Sequence, residues 1–402
     1  MAITIVIILT LLLLLAYVFD ISSSKTKIPS VILLLFMGWG VKQLTNVTGI
    51  NFPELTPILP ILGTVGLVLI VLEGAFELEL NKSKLKLIFQ SLIMAVSPLL
   101  IMSFVLALAL QYFGNIPFRL ALINAIPFAV ISSAIAIPSV RNYCLLNKEF
   151  ITYESSFSDI IGIIFFNFIS LNEVISYRTF GNFIFDILII LLVSFFSIGI
   201  LAYLLSKIKH HVKFIPIILI IVLLFAILEY FHLPALLMII FFGLFLGNFA
   251  KLKNIKYFKL FQPEILEKEI IKFKELAFEM VFLIRALFFI LFGFLLENSE
   301  ILNLVTLYWA MLITLGIFSI RAIHLSILRL PLQPLLFVAP RGLITILLFL
   351  SIPVCFSSSL VNKSLVIQVI VLTATVLMFG SIFSKKKELQ LSQIKLPHTD
   401  NQ

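Results

Sequence analysis

Thirteen long apolar runs separated by short polar loops constrain this chain more than any other feature of its sequence. They cover 2–19, 28–44, 55–76, 87–112, 117–140, 152–172, 182–206, 213–230, 234–250, 276–296, 301–325, 335–355 and 364–384. A helix needs about 20 mostly apolar residues to cross about 30 Å of hydrocarbon, and each run is of that order. The runs are continuous rather than alternating, which excludes a transmembrane β-barrel. Composition agrees: 61% of the residues are hydrophobic and 12% charged, with a mean hydropathy of +1.18, whereas a soluble domain carries about 25% charged residues. No soluble core buries that much apolar surface, so soluble enzymes, disordered scaffolds and secreted disulfide domains are excluded. The expected fold class is an all-α polytopic membrane protein with the lipid bilayer as its solvent. The first run has neither a basic flank nor a clear small-residue cleavage site, so it reads as a span rather than a signal peptide.

The basic residues test the count. Of the 29 Lys and Arg, 22 fall in alternate loops, at their edges or in the C-terminal tail, four (Lys42, Arg119, Arg178 and Lys363) fall in the other loops or at their edges, and three (Arg285, Arg321 and Arg341) lie well inside runs. A wrong count would scramble this segregation. By the positive-inside rule the N-terminus is expected outside and the C-terminus in the cytoplasm. The net charge of +9 then reports topology, not affinity for nucleic acid. The longest loop, 251–275, mixes Lys-rich and Glu-containing stretches and reads as a surface amphipathic helix; the tail 385–402 is short and polar. Cys144 and Cys355 fall on opposite sides of the membrane and cannot pair. The five histidines lack the spacing of metal ligands, and no phosphate-binding loop occurs.

Thirteen spans divide as six, one and six. An odd linker span would make the second six enter from the opposite side, which is the inverted-topology repeat of many secondary transporters. Such folds interrupt a helix at matching places in each half. Here the fifth span carries Ile131-Ser-Ser-Ala-Ile-Ala-Ile-Pro138 and the twelfth carries Ala339-Pro-Arg-Gly342, so discontinuous helices 5 and 12 are expected.

An ionisable group inside a span costs at least about 2.5–3.5 kcal/mol and needs a partner or a wet cavity. In the sixth span, Tyr153-Glu-Ser-Ser-Phe-Ser-Asp-Ile160, Asp159 lies near mid-membrane at the depth of Ser132 and Ser133 on the fifth. Ser155 shares its helix face at i, i+4, and Glu154 shares one with Ser158. A carboxylate among hydroxyls and freed carbonyls suits a small alkali cation, or a proton when the carboxylate is neutral. One residue that holds either but not both is sufficient for exchange. The buried arginines need anions: Glu154 is expected to pair with Arg285 or Arg341 as a structural clamp, while Arg321, near a span end, either snorkels or joins a pair. Glu73 on the third span, closer to the cytoplasmic end, either lines an ion entry funnel or snorkels.

These residues resemble the monovalent cation:proton antiporter superfamily. Glu154-Ser-Ser-Phe-Ser-Asp159 resembles the sixth-helix Glu-Ser/Gly-x-x-Asn-Asp of NhaP-type sodium/proton exchangers, Ser132-Ser-Ala-Ile-Ala-Ile137 stands in the place of their Thr-Asp-Pro-Val-Ala-Val, and Arg341-Gly-Leu-Ile-Thr345 matches their Arg-Gly segment. Glu73 is similar in position to a third-helix glutamate that helps form the ion site in some members. Two departures stand out: the unwound-helix Asp is Ser133 here and the Asn is Ser158, and a single polar residue before the aspartate also resembles Kef-type potassium/proton exchangers. Because related members with electrogenic exchange carry two adjacent aspartates and only one is present here, the resemblance implies electroneutral one-for-one exchange. Asp159, Ser155, Ser132, Ser133 and Glu73 are then the ion- and proton-binding set, with a monovalent cation at Asp159.

The resemblance implies interface helices at 1–80 and 213–298, which dimerise, and a moving core at 81–178 and 299–384, with 179–212 as the linker. The expected function is secondary Na⁺ or K⁺/H⁺ antiport in a bacterial inner membrane, by alternating access, with no cofactor beyond the transported ions and with a homodimer as the assembly. The alternatives are a K⁺-specific or organic-ion exchanger, a sensor or scaffold without flux, and a polytopic membrane enzyme, against which the short, nearly uncharged outer loops argue.

Overall fold

The computed structural model describes residues 2–26, 28–48, 57–78, 82–141, 143–173, 177–208, 210, 212–231, 233–252 and 263–394. These are all-helical, without strands. In lipid every backbone polar group must be satisfied within the protein, and a helix does this inside one segment. The α-helices in chain order are α1 Ala2–Thr26, α2 Ser30–Thr48, α3 Ile58–Glu77, α4 Leu85–Gly114, α5 Phe118–Ala129, α6 Ser133–Ser139, α7 Leu145–Leu171 and α8 Tyr177–Lys207. After these come α9 Phe214–Tyr230, α10 Ala235–Leu252, α11 Pro263–Phe294, α12 Asn298–Ile301, α13 Leu304–Ile327, α14 Leu332–Leu335, α15 Leu343–Leu350 and α16 Lys363–Ile394.

Eleven helical segments among the described residues, with α5 and α6 taken together as one, are long and apolar enough to cross a membrane, and α9 is a shorter apolar helix of 17 residues. The run at 335–355 is not one continuous helix. It enters through α14, loses helical structure over 338–342, and resumes as the eight-residue α15. The fifth run is broken as well, at 130–132, between α5 and α6. Its break does not fall at Pro138, which lies inside α6.

The loop at 251–275 departs from expectation. Residues 253–262 lie outside the described residues, and 263–275 do not form a separate surface helix: they are the first part of the 32-residue α11, continuous with the following span. Burial of Leu266, Ile270 and Phe273 against the rest of the bundle holds that extension in line. Lys213, at the foot of α9, fixes it by an ion pair to Glu269 at 2.5 Å.

Two sets of helices are packed. In one, α2 lies against α11, and α3 against α10 and α11; in the other, α4 lies against α5, α7 and α13, and α13 against α16. The α2–α11 crossing is close because Gly38 and Gly293 face the partner backbone: a Cβ on either would collide with the carbonyl of Ile290 or Leu35. Small residues at such crossings are how membrane helices gain van der Waals contact where lipid offers no hydrophobic drive.

Candidate functional site

The site forms where the two broken segments cross. Ser132 N donates to the carbonyl of Pro340 at 2.9 Å, so the stretch between α5 and α6 is tied to the stretch before α15. Each break exposes helix ends whose carbonyls and N–H groups need partners. At the end of α5, the Arg341 Nε donates to the carbonyl of Phe128 at 2.6 Å, and its Nη1 to that of Ala339 at 3.0 Å. A cation at a helix C-terminus also complements the helix dipole. The Arg341 backbone N–H goes to Thr373 Oγ1 of α16 at 3.0 Å. Gly342 follows because a side chain there would run into Ile135 and into Ser132 Oγ, 2.8 Å from the position of its Cβ.

Facing this crossing is α7. Asp159 is its fifteenth residue of 27, about 21 Å along at 1.5 Å per residue, and 4% exposed. Its Oδ2 accepts the backbone N–H of Ser133 at 3.2 Å, and Ser158 Oγ accepts that of Ile131 at 2.9 Å. The helix thus supplies partners for both sides of the break. Asp159 Oδ1 and Ser132 Oγ, both buried, have no hydrogen-bond partner among the described residues. Ser155, one turn before Asp159 on α7, is also buried, with its hydroxyl donated to the carbonyl of Ile151 at 2.8 Å. The structure therefore gathers Asp159, Ser132, Ser133 and Ser158 at the break, with Ser155 one helical turn away on α7.

Glu73 shares with Ser133 a cavity whose wall also includes Glu77, Arg141, Lys148 and Arg285. Oxygen atoms around a carboxylate with a free lone pair match a small, hard monovalent cation, which takes carboxylate, hydroxyl and carbonyl ligands. Among the described residues no group of three or more His, Cys, Asp or Glu side chains is placed to hold a metal ion.

The arginine pairings differ from those expected. Glu154 pairs with neither Arg285 nor Arg341. Its carboxylate is held by Arg321 through two bonds, Nη1 to Oε1 at 2.5 Å and Nη2 to Oε2 at 2.8 Å, and Arg321 Nε donates to the carbonyl of Leu335 at 2.9 Å. Arg321 does not snorkel: it is 2% exposed. The planar guanidinium presents several donors at once, so it can satisfy a carboxylate and a carbonyl together. Arg285 lies 3.6 Å from Asp20, which also accepts from Ser30 at 3.4 Å. Arg341 is satisfied by carbonyls at the breaks instead of a carboxylate.

Sequence reasoning missed three members of this framework. Asp20 ends the first apolar run one residue beyond its assigned boundary. Asn124 interrupts an otherwise apolar stretch of α5, donates to the carbonyls of Leu120 and Phe356 at 2.8 and 2.7 Å, and accepts from Ser358 N at 3.2 Å. An amide alone in an apolar run was the available signal. Thr373 carried none, since threonine in a membrane helix commonly bonds to its own preceding turn, as it does here to Val369.

The comparisons with known proteins agree with this architecture. No curated protein sequence matches the chain. Two structures of the sodium proton antiporter MjNhaP1 from Methanocaldococcus jannaschii share its fold at 18% identity. One, at pH 8, has a TM-score of 0.63 over 98% of this chain and 99% of that one. The other, an electron-microscopy structure, has a TM-score of 0.64 over 100% of each. The model of the transmembrane sodium/hydrogen exchanger family matches residues 8–385, nearly the whole chain and both broken segments. This is a family of transporters rather than enzymes, and the many apolar helices make the chain an integral membrane protein. Matched by that model almost end to end, the chain belongs to the sodium/hydrogen exchanger family.

Proposed function

We propose that this protein exchanges a monovalent cation, Na⁺ or K⁺, for H⁺ at Asp159. The observation that carries the reading is the Asp159 carboxylate, buried at the crossing of two unwound segments, whose Oδ1, like the buried hydroxyl of Ser132 in the break, has no hydrogen-bond partner among the described residues. Cation and proton compete for the same oxygen, so occupancy by one releases the other. Ser132, Ser133 and Ser155 complete the cation's oxygen shell, and Glu73 lines its approach. With one carboxylate at the centre, one cation exchanges for one proton and the cycle is electroneutral. Only the transported ions are required.

The thirteen runs form two inverted six-helix repeats around the linker 179–212. Interface helices at 1–80 and 213–298 form a homodimer, and the core at 81–178 and 299–384 moves against them, exposing Asp159 to each side in turn. The separate packing of α2 and α3 with α10 and α11, and of α4 with α5, α7 and α13, supports this division. Tight bonds inside the core, Ser132 to Pro340, Arg341 to Phe128 and Arg321 to Glu154, favour movement as one body. The N-terminus lies outside and the tail 385–402 in the cytoplasm of a bacterial inner membrane, as the lysine distribution supports.

The test is proton flux in sealed vesicles that contain the purified protein and a pH-sensitive dye. A Na⁺ or K⁺ pulse moves protons in the wild type, and Asp159→Asn is silent; the better cation names the substrate. A wild type that answers neither cation across a range of pH defeats the proposal and favours a sensor or an organic-ion carrier.

A further inference from the structure

The exchange reading uses Asp159 Oδ1 and Ser132 Oγ and leaves another buried oxygen close by without a role. Ser156 is 2% exposed, and its Oγ has no hydrogen-bond partner among the described residues. Burying a hydroxyl with no partner costs stability that an alanine of the same packing would avoid, so a transient partner is the economical explanation. Ser156 precedes Asp159 by three residues on α7, about 60° around the helix and about 4.5 Å along it. That offset turns it away from the α5–α6 break and toward α3. There it meets Gly74: a Cβ at that glycine would stand 3.6 Å from Ser156 Oγ, and Gly74 forms part of the cavity wall with Glu73 and Ser133. Ser155, by contrast, donates its proton to Ile151.

We infer that Ser156 is a further cation ligand, whose hydroxyl oxygen joins the shell of a monovalent cation as it passes from the cavity beside Glu73 to Asp159. The inference rests on the exchange reading above. Hard alkali cations shed water only as protein oxygens replace it, and the buried hydroxyl of Ser156, packed at the cavity wall beside Gly74, provides one such oxygen.

The experiment titrates Na⁺ and K⁺ into vesicles that hold the full chain as wild type, Ser156→Ala, Ser156→Thr, Ser194→Ala or Asp159→Asn, and resolves apparent KM from kcat. Ser194 is a buried, unpartnered hydroxyl on α8 and controls for the loss of such a group as such. Ser156→Ala is expected to raise the cation KM about tenfold with kcat within about twofold, while Ser156→Thr and Ser194→Ala keep the wild-type KM. Melting of the purified protein, measured with and without NaCl, reports the same loss of cation binding independently of flux. If Ser156→Ala keeps the wild-type KM and salt-dependent melting while Asp159→Asn is silent, Ser156 only packs, the inference fails and the exchange reading stands. If the wild type itself moves no protons with either cation, the exchange reading falls and takes the inference with it.

Discussion

Removing Arg321 tests whether the two halves of the chain are held by charge. In Arg321→Met the side-chain volume is largely kept, but three bonds vanish: two to Glu154 and one to the carbonyl of Leu335. Glu154 is 1% exposed and Arg321 2%, so water cannot replace them. Breaking a buried pair by deleting one partner costs about 3–5 kcal/mol, because an uncompensated charge remains, whereas replacing both partners by apolar or neutral groups costs far less. Arg321→Met is therefore expected to lose about 3–5 kcal/mol, and the double variant Glu154→Gln/Arg321→Met to recover about 2 kcal/mol or more of that, the coupling of a contacting pair. The Arg285–Asp20 pair provides the internal scale. At 3.6 Å and with 19% of the Asp20 side chain exposed, it lies closer to the exposed-pair limit of about 1 kcal/mol, so Arg285→Met is expected to be the milder variant. The assay is unfolding of the detergent-solubilised protein by heat and by denaturant. Parental melting in Arg321→Met, or a double variant whose loss equals the sum of the two single losses, would refute the argument.

Four further outcomes follow from the same geometry. Arg341→Lys cannot hold the carbonyls of Phe128 and Ala339 with one planar group, so it should lower stability by about 1–2 kcal/mol and slow flux in vesicles. Gly293→Ala drives a methyl into the backbone of α2 at Leu35 and should cost about 1–3 kcal/mol, while Gly40→Ala, with nothing within 4 Å of the new Cβ, should melt like the parent. On the proposed competition of cation and proton at Asp159, raising the pH should lower the apparent KM for the cation, and a KM independent of pH would count against a shared site. Outside the membrane, burial raises the Glu269 carboxyl, but the hydrogen bond and charge of Lys213, helped by Lys272, outweigh it and hold the group below the usual range. A folded carboxyl with a lowered pKa contributes stability that is complete above the unfolded value, about 4.3, and is lost as pH falls through the folded value. Glu269→Gln should therefore differ from the parent at neutral pH and converge with it in strong acid, as read by melting across pH.

Much of the fold was legible because lipid imposes a single rule on every span. Apolar length sets each helix, so the runs at 28–44, 87–112 and 301–325 correspond to α2, α4 and α13 within a few residues. Where a helix extended past its apolar run, the rule had nothing to say: α7 begins at Leu145, before the run at 152, and α11 begins at Pro263, because contacts with other helices and not lipid hold those turns. The interruptions were legible as polar or Pro-Gly patches at matched positions. The exact break at 130–132 was not, since the unwound stretch is set by what waits to receive its backbone groups: Ser158 for Ile131, Asp159 for Ser133 and Pro340 for Ser132.

The amino-acid sequence by itself determined that the chain lives in lipid, that apolar helices cross it repeatedly, and that Asp159, Glu154, Arg285, Arg321 and Arg341 had to find partners or a polar cavity there. Those demands are local, because the cost of a charge in hydrocarbon belongs to the residue that bears it. Only the tertiary structure decided who met whom. Arg321 took Glu154, Arg341 took helix-end carbonyls, Arg285 took Asp20, and Asp159 kept one oxygen unpaired. Partner choice depends on the depth, rotation and proximity of helices far apart in the chain, and apolar periodicity records none of these.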